Sequence, residues 1–118
     1  MTTILIVDDH AGFRRQARAL LESEGLEIVG EAADGHAAME AVRDLAPEIV
    51  LLDVGLPDID GFAVAEALAR QAAPPRVVLI SSRDAATYAT RIAASGVTGF
   101  IQKDDLSASA LLAVLGQI

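Results

Sequence analysis

The sequence contains no cysteine, which excludes disulfide scaffolds, thiol nucleophiles and thiolate metal sites together and makes a reducing, cytoplasmic setting the expectation. No apolar stretch approaches the roughly 20 residues that a bilayer crossing needs. No basic segment with an apolar targeting run precedes the strand-like start, since Met1-Thr2-Thr3 leads straight into it, so neither secretion nor membrane insertion is expected. Positive charge is scarce, with 9 Lys and Arg against 17 Asp and Glu and a formal net charge of −8. That balance argues against direct nucleic-acid binding by this chain, because such affinity is built largely on Lys and Arg contacts to phosphate. A G-x-G-x-x-G fingerprint after the first strand is also missing, which disfavours a dinucleotide enzyme.

What is present fits one domain over residues 1–118, with apolar residues at 53% of the chain and more than a third of them alanine. Five short runs rich in β-branched residues predict strands: Ile4–Val7, Glu27–Ala32, Ile49–Leu52, Val77–Ile80 and Val97–Ile101. Stretches of helical spacing follow each of them, through Phe13, Ala17 and Leu21, then Ala38, Val42 and Leu45, then Ala65 and Leu68, then Tyr88 and Ile92, then Ala108, Leu111 and Leu115. Gly25, Pro47, Pro74-Pro75 and Gly96 mark the helix exits. Strict βα alternation predicts an α/β fold of three layers, a doubly wound parallel sheet with helices on both faces. The runs beginning at Ile4, Ile49 and Val77 are apolar on both faces and belong at the centre, whereas Glu27 to Glu31 carries charges and belongs at an edge.

Ligands of such sheets bind outside the carboxyl ends of the strands, which directs attention to the residues there. The first strand ends in Asp8-Asp9, the third in Asp53, the fourth in Ser81-Ser82 and the fifth in Gln102-Lys103, the last being the only lysine beside eight arginines. Converging carboxylates repel one another unless a hard divalent cation neutralises them, and Mg²⁺ suits an oxygen donor set that also leaves room for a phosphoryl oxygen. A compact ammonium at Lys103 and a hydroxyl at Ser81 could then contact the same phosphoryl group. Taken singly these residues have plainer readings. Asp8-Asp9 could cap the following helix, Asp53 could shape the Gly55–Gly61 turn, and Lys103 could be an ordinary solvated lysine. Four strand ends each supplying a group that phosphoryl chemistry needs favour the conjunction. His10 and His36 form no ligand-spaced pair and read as residues of helix starts or loops.

The run Ile4-Leu5-Ile6-Val7-Asp8-Asp9, the run Ile49 to Gly61 around Asp53, Ser81-Ser82 and Lys103 together resemble the receiver domain of two-component response regulators, over essentially the whole chain. The resemblance implies a flavodoxin-like (βα)5 fold with strand order 2-1-3-4-5. It implies that Asp53 accepts a phosphoryl group from a sensor histidine kinase. Asp8, Asp9, Asp53 and the backbone carbonyl of Gly55 would hold Mg²⁺, with Asp8 acting through water. Ser81 and Lys103 would contact the phosphoryl group, and Ser81 and Phe100 would switch the face built from the fourth helix, fifth strand and fifth helix. Homodimerisation on phosphorylation is a further implication. Departures from the family pattern lie at Gly55, Ser82, Arg83 and Asp104-Asp105; the last replaces a frequent proline and resembles the subfamily with a C-terminal helix-turn-helix DNA-binding domain.

Two rival readings follow from the same residues. An aspartate-nucleophile, Mg²⁺-dependent phosphatase would want a carboxylate two residues after the nucleophile, and that position is Gly55. A phosphorylation-independent interaction module would keep the fold without needing the intact acidic set.

Overall fold

The computed structural model describes residues 2–116. Met1, Gln117 and Ile118, the outermost residues of the expected 1–118 unit, lie outside the described residues. Five strands, β1 (Thr3–Val7), β2 (Glu27–Ala32), β3 (Ile49–Asp53), β4 (Arg76–Ser81) and β5 (Gly99–Gln102), alternate with helices α1 (Ala11–Ser23), α2 (Gly35–Leu45), α3 (Gly61–Ala69), α4 (Ala89–Ser95) and α5 (Ala108–Val114). All strand pairs are parallel and the order is β2-β1-β3-β4-β5, as the alternating pattern and the resemblance lead one to expect.

The side-chain period of two distributes each central strand between two cores. Ile4, Ile6, Ile49, Leu51, Val78 and Ile80 pack beneath Ala17 and Leu21 of α1 and Ala108 and Leu111 of α5. Their alternates Leu5, Val7, Val50, Leu52, Val77 and Leu79 pack beneath Ala38 and Val42 of α2 and Val64 and Leu68 of α3. Full burial of such side chains contributes roughly 1.5–3 kcal/mol each, which is why doubly apolar runs sit at the sheet centre. The charged run is indeed the β2 edge.

Strands β1, β3 and β4 extend the expected runs by a residue at one or both ends, and larger differences lie near β5 and α4. Strand β5 begins at Gly99 rather than Val97, because Val97 packs against the second core and the Thr98 N–H already pairs with the Val77 carbonyl. Tyr88 belongs to a short 3-10 turn over Ala85–Tyr88 and not to α4. Helix α2 closes on Ala46 in the left-handed region, at φ 46°, ahead of Pro47. Gly25 and Gly96 close their helices at φ 91° and 73°, where a side chain would be strained.

Candidate functional site

The carboxyl ends of β1, β3 and β5 bring Asp8, Asp9, Asp53 and Lys103 together. Asp8 is held by its surroundings at every backbone group: its N–H donates to the Ala32 carbonyl at 3.0 Å, and its own carbonyl accepts from Arg14 Nη1 at 2.6 Å. Arg14 is steadied in turn by Glu31 of the β2 edge, 3.1 Å from its Nε. The Asp8 side chain is fully buried. Its Oδ1 accepts the His10 N–H at 2.8 Å, so this carboxylate does not cap α1 by bonding into its first turn, and the N-cap position is His10 with no side-chain cap bond.

Asp53 closes β3 and is 5% exposed. Burial pushes its carboxyl above the ordinary aspartate range, and the neighbouring Asp8 charge adds to that push. The Lys103 ammonium and the Gly55 N–H oppose both. The loop after Asp53 is fixed by Gly61, whose N–H donates to the Val54 carbonyl at 2.9 Å. A Cβ on Gly61 would run into the Asp53 carbonyl oxygen and stand 2.8 Å from Val54 Cα, so only glycine fits. Asp53 does not cap α3; that role falls to Asp60, which accepts from the Phe62 N–H at 2.7 Å.

Lys103 opens a 3-10 turn over Lys103–Asp105. Its Nζ reaches Asp8 Oδ2 at 2.5 Å and Asp53 Oδ1 at 3.7 Å, and it lies 4.6 Å above the Phe13 ring centre. Phe13, read from the sequence as part of an apolar stripe, is thus also a wall of the pocket. Ser81 is buried at the end of β4, one residue beyond the Ile80 that pairs with Asp53, and its Oγ accepts the Arg83 N–H at 3.1 Å. Phe100 is half-buried beside Tyr88, ring centres 6.1 Å apart, and Tyr88 stands 5.9 Å from Phe62. Gly55 stands in the exposed loop, with open space where a side chain would be.

Two clamps were not legible in the sequence. Asp58 receives the Gly35 N–H at 2.8 Å, the His36 N–H at 3.1 Å and His36 Nδ1 at 2.6 Å, joining the loop after β3 to the start of α2. Those donors hold its carboxyl far below the ordinary range. Arg91 of α4 lies 4.2 Å over the Phe62 ring and 3.0 Å from Asp60 Oδ2. Both depend on tertiary approach and leave no spacing signal.

The donor set fits a hard divalent cation. Ligand atoms of Asp8, Asp9, His10 and Asp53 lie within 4.8 Å of one another, and Asp8 Oδ2 is buried without a hydrogen bond, its neighbour being the Lys103 charge. One ammonium against three carboxylates leaves the pocket short of positive charge.

These elements define a signalling receiver, and the comparisons agree. The model of the response regulator receiver domain matches residues 4–115, and the chain belongs to this family. A transcriptional regulator of Pseudomonas aeruginosa is 36% identical over 113 residues, which are 96% of this chain and 55% of the relative. The transcriptional regulatory protein NarL of Mycobacterium tuberculosis is 38% identical over 113 residues, 95% of this chain and 52% of the relative. The solved signal receiver domain of that NarL superposes with a TM-score of 0.84 at 35% identity, covering 98% of this chain and 97% of the other. A protein-glutamate methylesterase/protein-glutamine glutaminase of Myxococcus xanthus is 50% identical over 80 residues, 67% of this chain and 23% of the relative. The chain thus spans about half the length of the transcriptional relatives it matches. Among the described residues no helix is long and apolar enough to cross a membrane.

Proposed function

We propose that residues 1–118 act as one receiver unit in which Asp53 takes a phosphoryl group from the phosphohistidine of a sensor kinase. The observation that carries this reading is the buried Asp53 carboxylate facing Asp8 with the Lys103 ammonium 3.7 Å away. Phosphoryl transfer asks chiefly for in-line positioning and charge neutralisation, which such a constellation supplies without acid–base machinery. The nitrogen–phosphorus bond of the donor breaks as a bond from an Asp53 oxygen to phosphorus forms, and the imidazole leaves with the electron pair. Asp8, Asp9, Asp53 and the Gly55 carbonyl would hold Mg²⁺, which when bound neutralises charge on the phosphoryl oxygens. Lys103 would exchange its contact with Asp8 for one with the new phosphoryl oxygens. Ser81 would turn its hydroxyl from the Arg83 N–H toward the same oxygens, and Phe100, against Tyr88, would transmit that movement to the face of α4, β5 and α5.

Homodimerisation on phosphorylation, a DNA-binding output domain and a cytoplasmic location belong to the same reading, supported by the transcriptional relatives and by the absence of cysteine. The rival phosphatase is disfavoured by Gly55, where its acid–base carboxylate would stand. The test is the intact mass of the protein after incubation with Mg²⁺ and a small phosphodonor such as acetyl phosphate. An adduct of one phosphoryl group on the wild type and none on Asp53→Asn is expected. Equal labelling of both proteins would reject Asp53 as acceptor. No adduct, with no Mg²⁺ binding, would leave a phosphorylation-independent interaction module.

A further inference from the structure

His10 is a third kind of donor at the acidic pocket. Its Nδ1 stands 3.1 Å from Asp9 Oδ1 and 3.2 Å from Asp8 Oδ1, while the imidazole is 71% exposed and otherwise unencumbered. Asp8, Asp9 and Asp53 each offer an oxygen within 4.8 Å of one another and of that ring nitrogen. Opposite ligands of a six-coordinate ion with bonds near 2.1 Å are about 4.2 Å apart, so small side-chain rotations bring all four onto one ion. Asp8 Oδ2 is buried with the Lys103 ammonium as its partner, which leaves Asp8 Oδ1 as the oxygen on the His10 side.

We infer that His10 Nδ1 is a metal ligand of this pocket and that it moves the site's preference from Mg²⁺ toward imidazole-seeking divalent ions of the Co²⁺ to Zn²⁺ group. Mg²⁺ takes oxygen donors and gains little from an imidazole, whereas affinity for first-row transition ions rises markedly when nitrogen joins the donor set. The backbone is arranged to present the ring this way. The His10 N–H is pinned to Asp8 Oδ1 at 2.8 Å, and His10 occupies the N-cap of α1 without using its side chain for capping. The ring is thereby directed at the carboxylates while α1 asks nothing of it. The inference rests on the reading of the acidic pocket as a cation site.

The experiment titrates the full chain with Co²⁺ and with Mg²⁺ separately by calorimetry, and follows the histidine ring protons by NMR during the Co²⁺ titration. His10→Ala preserves the backbone bond to Asp8, and His36→Ala controls for the chain's other histidine. The expected result is a Co²⁺-to-Mg²⁺ affinity ratio that falls roughly tenfold or more in His10→Ala and stays at the wild-type value in His36→Ala. Paramagnetically shifted His10 ring resonances would accompany it in the wild type. An unchanged ratio in His10→Ala, with both ions bound and the His10 ring unshifted, would overturn the ligand assignment and leave the carboxylate site standing. Failure of wild type to bind either ion, or binding undiminished in Asp9→Asn and Asp53→Asn, would overturn the pocket itself and the inference with it.

Discussion

The Lys103 ammonium lies closer to Asp8, 2.5 Å from Oδ2, than to Asp53, whose Oδ1 is 3.7 Å away. The only lysine of the chain is thus the counter-ion of its most deeply buried charge. Removing one partner of a buried pair leaves the other uncompensated, which costs more than the pair itself contributes. Lys103→Met keeps an apolar side chain of similar length but removes the ammonium from Asp8 and from the Phe13 ring, and should lower stability by about 3 kcal/mol at neutral pH. Urea denaturation with and without Mg²⁺ checks this, with Mg²⁺ expected to restore part of the loss. A variant as stable as wild type in metal-free buffer would mean that the Lys103–Asp8 pair contributes no net stability.

Asp53 has the opposite character, since burial and the Asp8 charge raise its pKa above the ordinary aspartate range. A raised carboxyl pKa favours the folded state while the group is protonated. That contribution is complete below the unfolded pKa and is lost as pH rises through the folded value. Asp53→Asn, which keeps the shape and drops the charge, should therefore raise the melting temperature at pH 7, by about 4 °C for each kcal/mol gained. The gain should shrink as pH falls through the raised folded value and vanish below the ordinary aspartate range, where wild-type Asp53 is protonated in both states. Thermal melts of both proteins across pH 3 to 8 provide the measurement.

Gly61 and Gly55 flank the acceptor loop but tolerate a methyl group differently. A Cβ at Gly61 would strike backbone atoms of Asp53 and Val54, which cannot turn aside, whereas one at Gly55 meets open space. Gly61→Ala should cost roughly 1–3 kcal/mol and displace the Asp53 carboxylate. Gly55→Ala should stay within about 0.5 kcal/mol of wild type. Chemical denaturation of the two variants compares them directly.

Arg91 fastens a helix that has little else to hold it, since neither α4 nor the turn before it contains a fully buried residue. Its bridge to Asp60 is more than half exposed on the Arg91 side, so stacking on Phe62 outweighs the ion pair. Arg91→Ala should cost about 1 kcal/mol and speed amide exchange in α4 relative to α3. Arg91→Lys, which keeps the charge without the planar group, should recover only a minor part of the protection.

The legibility of this fold varied with how local its causes are. Strands β1, β3 and β4 were plain because residues buried on both faces must be apolar throughout, and β2 because its glutamates face water at an edge. Gly25 and Gly96 were legible because glycine alone adopts left-handed geometry freely, while Ala46 was not, since a residue with a Cβ seldom adopts it. In the pocket, Asp8, Asp9, Asp53 and Lys103 were readable from their positions at strand ends. The Asp58 clamp and the Arg91 stack depend on how loops meet in space, and spacing along the chain carries no trace of them, whereas His10 directly follows Asp8-Asp9 and only the direction of its ring was hidden.

The pocket draws its first carboxylates from the end of β1 and its lysine from the end of β5, so its parts come from the first and last strands of the sheet in chain order. The two acidic residues of the first strand end are therefore translated well before their counter-charge, which arrives only with the fifth strand. Parallel strands joined across such separations form late, after the loop-closure entropy between them has been overcome. Until β5 has joined the sheet, Asp8 and Asp53 have no Lys103 beside them, so the pocket is a product of the completed sheet and of no smaller part of it.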